Sequence, residues 1–442
     1  MKLLRLSAIA ATALVVVACG GSDAPWVPKG GELLSAPQWI GTLTAAQIDA
    51  ATTANGLIAL TGPAKCAVRM LAINYATTGV GGETDRTNSS GVMLVPEGPA
   101  GTSCTAPASL LAYARGTELV KPRTLANPQD PETLMLTAFY AAQGYAVVAT
   151  DYLGYAHSAY PFHPYLHAHS EATTVLDSVR AARNVADETG VRLTDRVMFS
   201  GYSQGGHASM AAHRMAERFY DKEFNVVGGA HLAGPYNLAG AMKVTQAIAG
   251  YQFFVPFIIT AWQKTYGDIY KSPAEAFKAP YVTTIEDLLP NATLNAAGLV
   301  AAGRLPGGTP DQARDALMQP AFLTAMYTDD KVPINAAARD NTLVGLGWKP
   351  NAPITLCGGA GDPTVVPAVH QVPMMASFGA AGATNVKSVD VDPLIQATYG
   401  PGGKAPTNPA SSEYAAYYGS YHGIYEPPFC MAAARALFDL VR

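Results

Sequence analysis

The hexapeptide GYSQGG at residues 201–206 directly follows the apolar run RVMFS at residues 196–200. The apolar run predicts a buried strand, and the small and apolar residues that recur after the motif predict a helix. Ser203 is therefore expected on a sharp turn, where its hydroxyl is exposed and the first N–H groups of the helix point to the same place. Small neighbours suit such a turn because a Cβ atom would clash there. We interpret Ser203 as a nucleophile rather than as part of a tight turn with no chemical role.

Strand-like and helix-like patterns alternate along the rest of the chain. Buried strands are predicted at residues 67–75, 90–96, 109–114, 145–151, 226–233, 354–357 and 386–389. The clearest helix is predicted at residues 171–188, where apolar side chains recur at helical spacing. This alternation predicts an α/β fold with a mainly parallel sheet and helices on both faces.

The alternation breaks at residues 236–349, where Ala, Pro and aromatic residues are frequent and no run typical of a buried strand occurs. We predict a helical insertion that forms a cap or lid over the C-terminal ends of the strands. Its apolar faces either line a substrate channel or form the insertion's own core, and we expect both. The other predicted parts are a signal peptide at 1–18, a tether and extension at 19–60, and two parts of the core at 61–235 and 350–442.

The composition narrows the class of protein. Charged residues make up 14% of the 442 residues and hydrophobic residues 49%, so a large core is expected and disorder is not. The net charge of −4, without a basic stripe, argues against a nucleic-acid partner. Beyond the N-terminal segment, no apolar run is long enough to cross a membrane.

The first residues have the features of an export signal. A short basic region is followed by an apolar stretch, ending at Ala18, that is short for a membrane span. The sequence VVACG at residues 16–20 resembles the lipobox of bacterial lipoproteins, in which the cysteine becomes the lipidated first residue. This resemblance implies lipidation of Cys19, and Gly20 in place of aspartate implies sorting to an outer membrane. The alternative is an ordinary signal peptide cut after Ala18, which would release a secreted protein.

Four cysteines remain when Cys19 is set aside, and an even number in an exported chain suggests two disulfides. Three pairings are possible. We favour Cys66–Cys104 and Cys357–Cys430, because each pair would join neighbouring parts of the predicted fold.

Metal ligands are not indicated by the sequence. The Cys-x-x-Cys spacing of a zinc site is absent, and four clustered histidines lack the helical, carboxylate-flanked spacing of ligands. These histidines are His157, His163, His167 and His169. We expect them in an ordinary loop near the mouth of the site, and we expect neither a metal nor another cofactor.

A serine hydroxyl needs a base to accept its proton and a carboxylate to orient that base. In this topology the partners follow in the order serine, acid, histidine, each on a loop after a strand. Asp362 is the carboxylate of the loop that follows the strand at 354–357, and we predict that it is the acid. Asp390 and Asp392, at the end of the next strand, are the alternatives.

His422 is the predicted base. It lies past the last strand in the small-residue turn GSYHG at 419–423, before the C-terminal helix. His370 also follows the predicted acid, but its helical spacing from apolar neighbours favours a packed or solvated side chain. His207 lies one helical turn after Ser203 and is expected to pack on its helix.

The tetrahedral intermediate of acyl transfer needs two N–H donors for its oxyanion. We expect one from the backbone of Gln204, at the start of the predicted helix. The other is expected from the loop after the strand that ends at Ala114, where Arg115, Gly116 and Thr117 are candidates. We favour Gly116 or Thr117 and leave the choice between them open.

With these residues placed, the chain resembles the α/β-hydrolases and, more narrowly, the secretory lipase family of the lipase A type. The resemblance extends from about Val92 to the C-terminus. The matching stretches are GYSQGG at 201–206, DYLGY at 151–155, GPYNL at 234–238, GDP at 361–363 and VP at 366–367.

The family resemblance implies an α/β-hydrolase fold whose insertion acts as a lid. It also implies a triad of Ser203, Asp362 and His422 and the hydrolysis of carboxylic esters. One departure is RGT at residues 115–117, where many relatives have His-Gly-Thr. The backbone donor is retained, but the resemblance does not determine the polarity of the pocket at this position.

We therefore expect a serine esterase or lipase that forms an acyl-enzyme on apolar acyl esters, including triglycerides and aliphatic polyesters. A membrane is expected as a partner only through the N-terminal lipid anchor. A peptidase or amidase on the same fold is one alternative, although no acidic pair that would hold a substrate N-terminus is recognised. A non-catalytic surface lipoprotein that binds lipid or glycan is the other.

Overall fold

The computed structural model describes residues 29–244 and 253–442, and nine strands occur within them. The strands are β1 (Gln38–Leu43), β2 (Ala67–Thr78), β3 (Arg86–Glu97), β4 (Ala108–Ala114), β5 (Ala146–Thr150), β6 (Leu193–Tyr202), β7 (Asn225–Leu232), β8 (Ile354–Gly358) and β9 (Val386–Asp390). They form one sheet in the order β1-β2-β3-β5-β4-β6-β7-β8-β9. The pairs from β1 to β5 along this order are antiparallel, and all pairs from β5 to β9 are parallel. The sheet is mainly parallel, as the alternation of patterns predicts.

Helices cover both faces of the sheet. The segment that lies between β7 and β8 in the sequence forms a further helical layer. The α-helices are α1 (Ala45–Ala54), α2 (Ile58–Thr61), α3 (Pro131–Phe139), α4 (Ala168–Thr189), α5 (Gln204–Phe219), α6 (Leu238–Ala241), α7 (Phe254–Tyr266), α8 (Pro273–Ala276), α9 (Ala296–Ala301), α10 (Pro310–Leu317), α11 (Pro320–Thr328), α12 (Pro333–Asp340), α13 (Gln371–Ala380), α14 (Asp392–Tyr399), α15 (Ser412–Ser420) and α16 (Glu426–Val441). Side chains of α4, α5 and α13 build the core on one face, and those of α3, α14 and α16 build it on the other.

The strand β4 illustrates how the sequence produces this two-sided core. All of its residues are buried, in keeping with its position inside the sheet. Leu110 and Ala112 pack on the side of α4 and α5, whereas Leu111 and Tyr113 pack on the side of α3 and α16. Successive side chains of a strand point to opposite faces, so a strand covered on both faces is a continuous apolar run.

The edge strand β1 is a feature that the sequence analysis did not predict, since it assigned residues 19–60 to a tether and extension. The side chains of β1 are exposed or half-buried, and Trp39 is 67% exposed. An edge strand with a single neighbour buries little surface and needs no apolar run, so its sequence lacks the pattern of a buried strand.

The predicted insertion forms helices α6 to α12 in its described residues. These helices bury a core of their own, in which Trp262 is fully buried. The indole Nε1 of Trp262 donates a hydrogen bond of 3.1 Å to the carbonyl of Tyr165, which precedes α4, and so joins the insertion to the sheet domain. No helix within residues 29–244 and 253–442 has the length and hydropathy that crossing a bilayer requires.

Two disulfides link Cys66 to Cys104 and Cys357 to Cys430, the pairs that the sequence favours. The second bond joins β8 to α16. The loop that follows β8 and the turn that precedes α16 are therefore attached to covalently linked elements.

The turn at Ser203 packs closely against the end of β4. Ser203 has φ 58° and ψ −121°, a strained combination for a residue other than glycine. A Cβ atom on Gly201 would overlap the carbonyl oxygen of Gly205, and one on Gly205 would overlap the carbonyl oxygen of Ala114. Glycine at both positions lets the turn approach β4 more closely than any other residue would.

Replacing Gly205 by alanine is expected to lower the free energy of unfolding by about 1–3 kcal/mol, because the added methyl group pushes the turn away from Ala114. Thermal unfolding followed by circular dichroism measures the effect. Gly379→Ala in α13 is the matched control, since its Cβ would meet no atom within 4 Å. An unchanged melting temperature for Gly205→Ala would contradict the close packing.

Candidate active site

Three side chains from separate connections meet at the C-terminal edge of the parallel strands. Ser203 lies between β6 and α5 as the N-cap residue of α5, and Asp362 lies in the loop after β8. His422 lies in the π-helical turn Tyr421–Tyr425, between α15 and α16. Parallel strands present their C-terminal ends at one edge of a sheet, so residues distant in sequence converge there.

The three side chains form a continuous chain of hydrogen bonds. His422 Nε2 lies 2.8 Å from Ser203 Oγ, and His422 Nδ1 lies 2.7 Å from Asp362 Oδ2. Asp362 Oδ1 accepts hydrogen bonds from the N–H groups of Thr364, at 2.8 Å, and Val365, at 3.2 Å. Since an ionised carboxylate only accepts, His422 Nδ1 carries a hydrogen and Nε2 faces the serine hydroxyl. This geometry suits the activation of a serine hydroxyl as a nucleophile.

A second buried carboxylate, which the sequence analysis missed, lies beside the imidazole. Glu426 Oε2 is 3.7 Å from His422 Nδ1, and Glu426 Oε1 accepts the N–H of Gly359 at 2.6 Å. The hydroxyl of Tyr202 lies 2.5 Å from the carbonyl oxygen of His422 and 3.2 Å from Glu426 Oε2. Glu426 follows His422 by four residues, and side chains at this spacing share one face of a helix. That spacing is the sequence signal that could have revealed it.

The surroundings shift the pKa values of this cluster in different directions. Burial opposes a charged imidazole, but Asp362 and Glu426 outweigh it and raise the pKa of His422. Burial also opposes the ionisation of Asp362, but His422 and the N–H of Thr364 hold the pKa of Asp362 below its usual value. Burial and the neighbouring Asp362 raise the pKa of Glu426 to about 7. Asp362 is therefore the carboxylate that stays charged across the neutral range.

An apolar cavity opens beside Ser203. Side chains of the insertion form one wall, namely Leu238, Ala241, Met242, Phe254, Val255, Ile258, Ile259 and Met326. Gln204, Thr364 and His370 contribute polar groups. Burial lowers the pKa of His370 to about 4, so the described residues of the cavity wall are uncharged at neutral pH. Such a wall favours an apolar ligand.

The expected oxyanion donors differ in the partners that they already have. The N–H of Gly116 donates to Glu132 Oε1 at 2.9 Å, which argues against Gly116 as a donor to substrate. The hydroxyl of Thr117 pairs at 2.9 Å with that of Tyr165, which lines the cavity, so Thr117 lies next to a residue of the cavity wall. Gln204 is the first residue of α5, where a backbone N–H has no partner within the helix.

Arg115 is the residue at which the loop after β4 departs from the family pattern, and it is fully buried in an ionic cluster. Its guanidinium lies 3.4 Å from Glu118 Oε2 and 3.7 Å from Asp151 Oδ1, and it sits over the ring of Tyr155. The described cavity wall does not include Arg115. Its charge is therefore used within the core and is not added to the pocket.

The alternative acids have other partners. Asp390 Oδ1 accepts the N–H of Ala360 at 2.9 Å, and Asp392 Oδ1 accepts the hydroxyl of Tyr421 at 2.6 Å. Both carboxylates therefore support the segments that carry Asp362 and His422. The alternative base, His370, is buried, and its Nδ1 accepts the N–H of Asn237 at 3.2 Å.

The clustered histidines have separate partners. His163 is buried between Leu153 and Gln204, and His167 is bonded to Ser170. Within the described residues, the His, Cys and carboxylate groups close enough together to share a metal ion are those of Asp362, His422 and Glu426. The hydrogen bonds given above already engage all three.

The predicted signal peptide at 1–18 and the predicted lipidation site Cys19 lie outside the described residues.

Comparisons with known proteins show which family and which solved structures the chain is similar to. The secretory lipase family model matches residues 126–391. The rice cell wall degrading esterase LipA from Xanthomonas oryzae is 30% identical, with a TM-score of 0.77 over 94% of this chain and 100% of that chain. No curated protein sequence matches the chain significantly.

Two more distant structures share the fold. A putative hydrolase from Legionella pneumophila is 21% identical, with a TM-score of 0.74 over 93% of this chain and 98% of the other. Candida antarctica lipase A in its closed state is 16% identical, with a TM-score of 0.57 over 82% of this chain and 76% of the other.

The family match covers more than half of the chain, and the similarity to the Xanthomonas esterase covers nearly all of it. These findings confirm the predicted fold and the predicted resemblance. The chain belongs to the secretory lipase family and is a carboxylic-ester hydrolase with an α/β-hydrolase fold.

Proposed function

We propose that this protein hydrolyses esters of apolar acyl groups through a covalent acyl-enzyme on Ser203. The observation that carries the proposal is the unbroken chain of hydrogen bonds from Asp362 through His422 to Ser203, at the mouth of an apolar cavity. A nucleophile, a base and an orienting acid are the groups that this chemistry requires.

In the first step Ser203 Oγ attacks the carbonyl carbon of the ester, and His422 Nε2 accepts the hydroxyl proton. The resulting oxyanion accepts hydrogen bonds from the backbone N–H groups of Gln204 and Thr117. The intermediate then collapses, the bond to the alcohol oxygen breaks, and the imidazolium of His422 gives its proton to that oxygen. Asp362 stabilises the imidazolium throughout and keeps the ring in place.

In the second step a water molecule gives a proton to His422 and attacks the acyl carbon. The oxyanion forms again in the same position and collapses with release of Ser203 Oγ, which recovers the proton from His422. The products are a carboxylic acid and the free enzyme. The uncharged cavity wall between Ser203 and the insertion holds the acyl chain, and this favours aliphatic acyl groups over charged ones.

Ser203→Ala is expected to lower kcat/KM by at least about 10⁴-fold, because the nucleophile of the acyl-enzyme is lost. The measurement is the hydrolysis of p-nitrophenyl esters from acetate to palmitate, whose chain-length profile also separates esterase from lipase behaviour. Ser209→Ala is the matched control, since Ser209 is a buried serine on the same helix whose hydroxyl lies 2.8 Å from His231 Nδ1. A kcat/KM of Ser203→Ala close to the wild-type value would contradict the proposal.

An amide substrate and a covalent probe separate this function from the alternatives. Cleavage of matched amides faster than esters would favour a peptidase or amidase. A folded protein that neither hydrolyses esters nor reacts with a fluorophosphonate at Ser203 would favour a non-catalytic binding protein.

Glu426→Gln is expected to move the acid limb of the pH profile of kcat/KM to lower pH by roughly one unit. Glu426 helps to raise the pKa of His422, so the imidazole accepts the serine proton only after the pH has risen above its ordinary titration range. Removing this negative charge destabilises the imidazolium and frees the base at lower pH.

The pH profile is measured with p-nitrophenyl butyrate from pH 5 to pH 10. Glu413→Gln, which removes an exposed carboxylate in α15, is the control and is expected to leave the acid limb in place. An acid limb that moves to higher pH in Glu426→Gln would contradict the charge interaction with His422.

We also propose that the protein is exported and anchored to the outer membrane through a lipidated Cys19. The family assignment supports export, and the residues around Cys19 support lipidation. Cys19→Ser is expected to abolish incorporation of radiolabelled palmitate and to move the activity from the membrane fraction to the soluble fraction. A wild-type protein that carries no label would contradict the lipidation of Cys19 and would favour an ordinary signal peptide cut after Ala18.

A further inference from the structure

The side chain of Gln204, the residue after the proposed nucleophile, is held by two buried groups that the mechanism above does not use. Gln204 Nε2 lies 2.6 Å from Glu171 Oε1 and 2.7 Å from His163 Nε2. All three side chains are 1% exposed. Water therefore does not compete for these hydrogen bonds, and each lost bond would leave a buried polar group unpaired.

The hydrogens in this cluster can be assigned from the partners. His163 Nδ1 lies 3.0 Å from the carbonyl of Leu153, which only accepts, so Nδ1 carries the hydrogen. Burial lowers the pKa of His163 to about 3, so the ring is neutral and its Nε2 accepts. The amide of Gln204 thus donates one hydrogen to His163 and the other to Glu171. A flipped amide would place its oxygen against the Glu171 carboxylate, so a single orientation is stable.

Glu171 also holds the elements around Gln204. Its Oε1 accepts the N–H of Leu166 at 3.0 Å, and its Oε2 lies 3.2 Å from His207 Nδ1, on the same helix as Gln204. His207 Nε2 lies 2.9 Å from the carbonyl of Asn341, at the end of α12 in the insertion. One carboxylate therefore connects the start of α5, the segment before α4 and the insertion.

We propose that Glu171 is a positioning residue for the oxyanion hole, a role that rests on the proposed acyl-enzyme mechanism. The backbone N–H of Gln204 is the donor to the oxyanion, and the side chain of the same residue is fixed by Glu171. Loss of this anchor lets the peptide before Gln204 rotate, which weakens a hydrogen bond that matters most in the transition state. The ester in the ground state is bound chiefly by the apolar cavity, so KM is affected little.

The test is steady-state hydrolysis of p-nitrophenyl butyrate by Glu171→Gln. The amide keeps the size of the side chain but removes its negative charge, so the charge-assisted hydrogen bond that holds Gln204 is replaced by a weaker neutral one. We expect kcat to fall on the order of 10- to 100-fold with KM within about twofold of the wild-type value. The inhibition constant of an alkyl trifluoromethyl ketone, whose adduct carries an oxyanion, is expected to rise by a factor similar to the loss in kcat.

A second variant removes the same anchor from the other side. Gln204→Met keeps the length of the side chain and the backbone N–H but removes the amide. We expect a loss in kcat at least as large, and we expect the double variant with Glu171→Gln to be no slower than Gln204→Met alone, because both changes act on one interaction. This variant also tests the proposal if Glu171→Gln does not fold.

Glu217→Gln is the matched control for a structural effect. Glu217 is also a carboxylate bonded to a histidine of α5, with His213 Nε2 at 3.1 Å and the indole of Trp348 at 3.0 Å, and its side chain is 5% exposed. It lies at the far end of that helix from Ser203. We expect Glu217→Gln to lower the melting temperature and to leave kcat within about twofold of the wild-type value.

The proposal is overturned if folded Glu171→Gln and Gln204→Met keep the wild-type kcat. It is also overturned if Glu217→Gln loses as much kcat as Glu171→Gln, since the effect would then be a general loss of stability. The Ser203→Ala experiment decides the proposed function separately. A wild-type enzyme that depends on Ser203 but tolerates Glu171→Gln would retain that function and lose only this inference.

Discussion

The close packing of the turn at Ser203 against the neighbouring strands is the constraint on which the rest of this site depends. The N–H of Ser203 donates to the carbonyl of Leu232 at the end of β7, and Gly205 lies against the carbonyl of Ala114 at the end of β4. The turn is therefore fixed from two sides, and its strained backbone is maintained by packing that no larger residue would permit. The proposed nucleophile therefore has one position relative to the loops that carry Asp362 and His422.

The segment after β4, which includes the candidate oxyanion donors Gly116 and Thr117, is secured by buried polar groups. Asp151, directly after β5, accepts hydrogen bonds from the N–H of Leu125 and from the hydroxyls of Thr124 and Ser90. It therefore holds the segment that follows residues 115–117. Arg115 adds a buried positive charge to the same cluster. Removing one member of such a cluster leaves its partners buried and unpaired, which is far more costly than the loss of an exposed ion pair.

The insertion has a double role in this arrangement. Its own core makes it a stable layer, and the face that it turns towards Ser203 is apolar and uncharged. Asn341 of the insertion and Ser203 are connected through His207, Glu171 and the residue after the nucleophile. The insertion is thus bonded, through side chains, to the residue whose N–H we propose as an oxyanion donor.

Local patterns in the sequence were sufficient to predict the fold and to propose most residues of the candidate site. Buried parallel strands are continuous apolar runs, and the serine turn, the acid loop and the histidine turn follow such runs or small-residue stretches, so Ser203, Asp362 and His422 could be proposed from order alone. The edge strand β1 could not be found, because its exposed side chains leave no pattern. Glu426, the hydrogen bond from Gly116 to Glu132, and the contact between Glu171 and Gln204 depend on distances between separate segments of the chain. The sequence by itself determined which buried strands and helices form and in what order, because these follow from local periodicity. Only the tertiary structure decided which buried polar groups meet, because a hydrogen bond depends on the position of both partners in space.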